Sequence, residues 1–148
     1  MSYQLKKSIV SLLCSLLIIG LYCLWVFQVN PDKSETIEGT IKYWGIVMIL
    51  MLPVQIIPKI IVQIIFSMIN WLTTKEKEPS FSDELDKLIN LKSIRNSFYG
   101  FCFIFFGSMG LLALELPIST MFYTMFFGLS ACGLIAEISE FAYYRRGA

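Results

Sequence analysis

A lysine in the middle of an apolar segment is the most chemically distinctive residue of this chain. Four polar residues follow one another here at four-residue steps: Gln55, Lys59, Gln63 and Ser67. Residues four apart lie along one face of a helix. An ionised lysine in hydrocarbon costs about 2.5–3.5 kcal/mol on insertion scales, so it must face protein or water. The pattern predicts a polar interior in which Gln55 and Gln63 flank Lys59.

Two prolines lie close to this lysine, at Pro53 and Pro58. Proline has no backbone N–H, so each leaves a carbonyl one turn earlier without its helical partner. A kinked or locally unwound helix beside a lysine is one way to build a polar cavity inside a bundle. The alternative is that the prolines only bend a helix that is longer than the bilayer requires.

The predicted counter-charge of Lys59 is Glu137. Glu137 precedes Arg145 by eight residues, a rise of ~12 Å, whereas Lys59 lies ~18 Å from the corresponding end of its own span. The depth difference of ~6 Å is about the length of a lysine side chain. We therefore expect a Lys59–Glu137 ion pair. Glu140 is nearer to the end of its helix and is expected to pair with Arg145 or Lys92.

The composition identifies the elements that must position these charges. Of 148 residues, 56% are hydrophobic and 16% charged, and the mean hydropathy is +0.67. Soluble domains carry about 25% charged residues, so a soluble domain is excluded, as are disorder and a disulfide framework. We expect one all-α domain, residues 1–148, that forms a polytopic antiparallel bundle in the lipid bilayer. Its four transmembrane helices are predicted at 8–28, 44–71, 97–114 and 118–144.

The distribution of basic residues predicts the orientation of the bundle. Nine of the lysines and arginines outside the spans flank one set of helix ends, and two flank the other. Because basic residues are retained on the cytoplasmic side, both termini and the central connector are expected in the cytoplasm.

The connector, residues 73–96, is predicted to contain a short amphipathic helix that bends into the third span near Asn96. Its basic residues Lys87, Lys92 and Arg95 are candidates for binding a cytoplasmic partner or anionic headgroups. The alternative is a solvated connector that only anchors the third span. The apolar face is formed by Leu85, Leu88, Ile89, Leu91 and Ile94.

Two short motifs suggest a relationship. The connector contains D-E-L-D-K-L-I-N-L-K from Asp83 to Lys92, and the chain closes with Y-R-R-G from Tyr144 to Gly147. The two motifs resemble those of small uncharacterised bacterial four-helix membrane proteins, which carry D-E-x-D-K-x-I-x-L-K before the third helix and end in Y-R-R-G. Some of those proteins are encoded beside small helix-turn-helix regulators. The resemblance implies a bacterial membrane location and a regulatory pairing, and it implies no catalytic residue.

The residue types exclude the common catalytic sites. There is no histidine, and Cys14, Cys23, Cys102 and Cys132 stand singly in apolar runs. We therefore expect no enzyme activity, no catalytic residues, no cofactor and no metal site, and the near-neutral charge predicts no nucleic-acid partner. The expected function is that of a non-enzymatic partner-binding protein of regulatory, accessory or immunity type. The alternative is a small oligomeric transporter or ion-coupled exporter that uses Lys59 and Glu137.

Small residues on the last two spans predict close helix contacts, either within one chain or in a homo-oligomer. They are Gly100, Gly107 and Gly110 on the third span and Gly128, Cys132 and Ala136 on the fourth.

Overall fold

A computed structural model describes residues 3–75 and 83–147 of the chain, and within them it has four α-helices and one π-helical turn. Each of the four helices is long and apolar enough to cross a membrane, which confirms the predicted all-helical architecture with four candidate spans. The elements are α1 (Tyr3–Leu24), the π-helical turn (Trp25–Val29), α2 (Ile37–Thr74), α3 (Asp83–Ala113) and α4 (Ile118–Arg146).

The helices α1 and α2 pack as an antiparallel pair. The Tyr3 and Phe66 rings meet at one end, with centroids 5.5 Å apart, and at the other end the Tyr43 hydroxyl bonds the Val26 carbonyl over 2.9 Å. The inward face of α1 includes two buried serines, whose small side chains allow close helix contact. The buried residues of α1 are Ser8, Ser15, Ile18 and Tyr22.

The π-helical turn at the end of α1 has a local cause. The N–H of Asn30 bonds the Trp25 carbonyl, five residues back, over 2.8 Å. The same pattern would give the Val26 carbonyl a partner at residue 31, but Pro31 has no N–H. The Tyr43 hydroxyl lies 2.9 Å from the Val26 carbonyl and 2.6 Å from that of Asn30. A side chain of α2 therefore satisfies the end of the first span.

Helix α2 is much longer than a single bilayer crossing requires. Its 38 residues correspond to ~57 Å, against a hydrocarbon thickness of ~30 Å. It begins seven residues before the predicted Trp44 because Thr36 caps it by accepting a hydrogen bond from the N–H of Gly39. It remains helical through Pro53 and Pro58, so of the two forms expected there, kinked or locally unwound, the unwound one is absent.

The described part of the connector and the third span form one helix. Helix α3 is continuous from Asp83 to Ala113, so the predicted short connector helix is not separate from the third span. Of its predicted apolar face only Ile89 is buried, because the side of α3 that packs on α4 passes through Ile89 and Ser93, whereas Leu88 and Leu91 lie away from it. The part of the connector at residues 76–82 lies outside the described residues.

The helices α3 and α4 form the predicted tight hairpin. Glu115 has a left-handed φ of 59° at the turn, and Pro117 precedes the start of α4. Contact is closest at Gly128, where an added Cβ would lie 2.3 Å from Ile104 Cγ2. Gly100 also faces α4, but Gly107 and Gly110 face open space. Of the two alternatives predicted for Gly107 and Gly110, close contact within one chain is therefore absent among the described residues.

The apolar core lies toward the end of the bundle that contains the π-helical turn. Trp44 and Phe126 are each 1% exposed and their rings are 5.9 Å apart. The other buried members are Tyr22, Val26, Val47 and Met51. The phenylalanines of α3 lie outside this core and are exposed, as expected for lipid-facing residues; they are Phe98, Phe101, Phe103, Phe105 and Phe106.

Candidate functional site

Three helices meet at Glu137. Lys59 on α2 forms an ion pair with Oε1 of Glu137 on α4. Ser15 on α1 donates a hydrogen bond from its Oγ to the same oxygen, over 2.6 Å. The contact between Lys59 and Glu137 that the spacing predicted is therefore present, and Ser15 adds the third helix.

The two oxygens of the Glu137 carboxylate differ in their hydrogen-bonding partners. Glu137 is buried, with 9% of its surface exposed, whereas the side chain of Lys59 is 25% exposed. Both donors converge on Oε1, and Oε2 is buried without a hydrogen-bonding partner among the described residues. Buried polar oxygens almost always have a partner, so a bare carboxylate oxygen is unusual.

A narrow crevice adjoins the ion pair. It brings Gln55 and Lys59 together with Ser15 and Gly133. The Cβ position of Gly133 is 3.8 Å from Oε1 of Gln55, an ordinary contact distance, so α4 faces this amide directly. Gln55 thus belongs to the site, as predicted from its spacing to Lys59. Two isoleucines of α1, Ile18 and Ile19, complete the lining.

Two other predicted polar residues lie apart from the ion pair. Gln63 is half-buried on α2 and makes no hydrogen bond among the described residues. Glu140 is half-buried on α4, and within residues 3–75 and 83–147 it forms no ion pair with Arg145 or Lys92. The expected pairing of Glu140 was therefore wrong, because Lys92 is held elsewhere.

A second polar cluster joins α3 to α1 and α4 at the end of the bundle that contains the N-terminus of α1. Asp86 accepts hydrogen bonds from Gln4 on α1, over 3.0 Å, and from the Tyr144 hydroxyl on α4, over 2.8 Å. Further along α3, the Asn96 amide lies 3.2 Å from the Tyr143 hydroxyl. These bonds fix the first turns of α3 against α1 and α4. We call this end the basic end; it contains the N-termini of α1 and α3 and the C-termini of α2 and α4.

The three basic candidates of α3 point in different directions. Lys92 is half-buried, with its Nζ 5.5 Å from the centre of the Tyr143 ring, a distance at which a cation is attracted by the ring. Lys87 and Arg95 are exposed. Only these two of the three predicted residues are therefore presented outward.

Sequence reasoning missed Ser15 and Asp86. Ser15 lies seven residues after Ser8 and three before Ile18, a spacing that repeats on the inward face of a packed helix and could have identified it. Asp86 had no such signal, because its partners Gln4 and Tyr144 are remote in the sequence.

The site contains no arrangement typical of covalent catalysis or metal binding. Within the described residues no three His, Cys, Asp or Glu side chains lie close enough to hold a metal ion. What the site can do is hold a charge pair in the bundle interior and exchange a proton at the carboxylate. The fold defines the class: four helices that fit a multi-pass membrane protein. Comparison with protein-family models, curated proteins and solved structures gave no match for this chain.

Proposed function

We propose that this chain is a non-enzymatic integral membrane protein of the bacterial cytoplasmic membrane that binds a soluble regulatory protein at its basic end. The proposal places that end in the cytoplasm, in accord with the bias of nine basic residues to two. The observation that carries it is the anchored N-terminal part of α3. Its inward side is fixed by Asp86, and its outward side is exposed among residues 3–75 and 83–147.

The outward side of α3 combines apolar and basic residues. Leu88 is 45% exposed and Leu91 66% exposed, and Lys87 and Arg95 are exposed beside them. We call this set the α3 outer face. Because its backbone is already helical and anchored, binding here would cost little ordering entropy.

The charge of the basic end indicates the chemistry of the partner. Lys6, Lys75, Arg145 and Arg146 are all exposed there. An acidic helix or strand with a few apolar side chains would complement both the charges and the leucines. A soluble protein with such a surface is the partner we propose.

Photo-crosslinking in cells tests the proposal at single positions. A photoreactive amino acid is placed at Leu88 or Leu91, and the adducts are identified by mass spectrometry. Phe103 is the matched control, since it is 82% exposed on the same helix but remote from the basic end. We expect one foreign protein to be captured from Leu88 and Leu91 and not from Phe103. Capture of lipid alone, or only of a second copy of the chain, would contradict the proposal.

Charge reversal provides a second readout for the same interface. Lys87→Glu together with Arg95→Glu should reduce the crosslinked adduct at least several-fold, because both charges lie on the α3 outer face. Lys33→Glu, at the opposite end of the bundle, is the control and should leave the adduct unchanged.

Ion-coupled transport is a second candidate function, and the buried ion pair favours it. Charged residues inside membrane bundles often lie on ion or proton pathways. Reconstitution in liposomes of the parent chain and of Lys59→Met and Glu137→Gln tests this candidate. A proton flux that the parent chain supports and both variants lose would support it, and equal flux in all three would exclude it.

A further inference from the structure

We propose that Glu137 is a proton-binding site inside the bundle and that the proton binds at Oε2. The inference is independent of the partner at the basic end. It deepens the transport candidate by naming the proton as the ion, but it requires only binding, not flux.

The geometry leaves Glu137 incompletely satisfied in either protonation state. In the ionised state Lys59 and Ser15 both serve Oε1, and Oε2 is a bare anionic oxygen in the protein interior. Burial of an unpartnered anionic oxygen is costly. In the protonated state Oε2 is no longer charged, although its new O–H also lacks an acceptor among the described residues, and the ammonium of Lys59 loses its counter-charge. Each protonation state therefore carries an unfavourable term at this site.

The proton step is simple to balance. A proton from water forms an O–H bond at Oε2, Glu137 becomes neutral, and Lys59 remains an ammonium. The charge of the pair changes from zero to plus one, and no other bond breaks. Gln55 lines the crevice together with Lys59, and its amide oxygen offers the ammonium an alternative acceptor when the carboxylate is neutral.

The surrounding charges are few, and they come from all four helices. Glu140, three residues nearer to the basic end, interacts electrostatically with Glu137, with Lys7 on α1, with Lys59 on α2 and with Asp86 on α3. Along α4, Glu140 thus lies between Glu137 and the basic end.

Infrared difference spectroscopy tests proton binding directly. The full chain is reconstituted in lipid and titrated from mildly alkaline to acidic pH. A protonated carboxylic acid has a C=O stretching band that a carboxylate lacks. We expect such a band to appear on acidification, to shift in D₂O, and to be lost in Glu137→Gln. The matched control is Glu140→Gln on the same helix, which should retain the band that Glu137→Gln removes.

A second variant keeps the test decisive if Glu137→Gln folds poorly. Lys59→Met removes the counter-charge, so its band should persist to more alkaline pH than in the parent chain. Identical acid-induced spectra for the parent chain and a folded Glu137→Gln, or an unchanged pH range in Lys59→Met, would overturn the proposal. Proton binding without flux would exclude transport while leaving the site established.

Discussion

Glu137 receives one donor from α1 and one from α2, so a single side chain of α4 makes polar contacts with two other helices. Lys59 is the only lysine or arginine deep within a predicted span, and its partner lies on a different helix. Removing one partner of a buried pair leaves the other charge uncompensated. When both partners are removed, no charge is left uncompensated, and only the attraction between the two side chains is lost.

The ion pair should therefore show strong coupling in a double-mutant cycle. We expect Lys59→Met or Glu137→Gln alone to lower the free energy of unfolding by about 1–3 kcal/mol, below the range for fully buried pairs because Lys59 is partly exposed. The double variant should lose less than the sum of the two single losses. The measurement is reversible unfolding in mixed micelles.

The control for this cycle is Glu140→Gln, which removes a charge from the same helix without breaking an ion pair in the described residues. It should change stability by less than either single variant. Strict additivity of Lys59→Met and Glu137→Gln would show that the two side chains do not interact in the folded protein.

Single residues differ in how far the sequence predicts their role. The four-residue steps around Lys59 and the similar depth of Glu137 were enough to predict their contact, because each follows from helix geometry. The absent Glu140–Lys92 pair was not predictable, since the Tyr143 ring that holds Lys92 is a tertiary partner.

At the level of elements, helix pairs differ in how they are joined. The helices α1, α2 and α4 share polar contacts at Glu137, whereas α3 packs on α4 through an apolar contact at Gly128 and polar bonds near the basic end. The contacts at Glu137 and the contacts between α3 and α4 can therefore be tested separately.

Gly128 is expected to be the most sensitive position of the hairpin formed by α3 and α4. Gly128→Ala places a methyl group 2.3 Å from Ile104 Cγ2, and the β-branched isoleucine has little rotamer freedom in a helix. We expect a loss of about 1–3 kcal/mol in stability, typical of overpacking. Gly107→Ala is the matched control, because nothing lies within 4 Å of its added Cβ. Equal stability of the two variants would contradict the described packing.

Asp86 is expected to anchor the first turns of α3. Asp86→Ala removes the acceptor of Gln4 and of Tyr144, each bond being worth about 1 kcal/mol or more to a charged group. Hydrogen exchange of the amides of residues 84–92 should become about tenfold faster, which corresponds to about 1.4 kcal/mol. Glu84→Ala, on the exposed side of the same turn, should leave the exchange unchanged. Unaltered exchange in Asp86→Ala would show that these bonds do not hold the helix.

The elements were more predictable than their ends. Four apolar runs predicted four helices because each run is long enough to cross a bilayer. The continuity of α3 through Asn96 was missed because polar residues there suggested a boundary, although Asn96 bonds Ser139 and Tyr143 of α4. The carbonyls at the end of the π-helical turn are bonded by Tyr43, eighteen residues beyond Trp25, and local periodicity does not include such a contact.

For the whole molecule, charge and apolarity divide the bundle into two ends. The aromatic core and the π-helical turn lie toward one end, and the Asp86 cluster with the exposed lysines and arginines lies at the other. The proposed partner site requires the basic end to face the cytoplasm. This orientation is the claim on which the account depends.

Labelling of single cysteines with a membrane-impermeant maleimide in intact cells is the most direct test of that claim. Lys33→Cys and Lys75→Cys are both exposed positions at opposite ends of α2, introduced after Cys14, Cys23, Cys102 and Cys132 are replaced by serine or alanine. We predict that Lys33→Cys is labelled in intact cells and that Lys75→Cys is labelled only after permeabilisation. Labelling of both positions from the same side, or of Lys75→Cys alone in intact cells, would contradict the account.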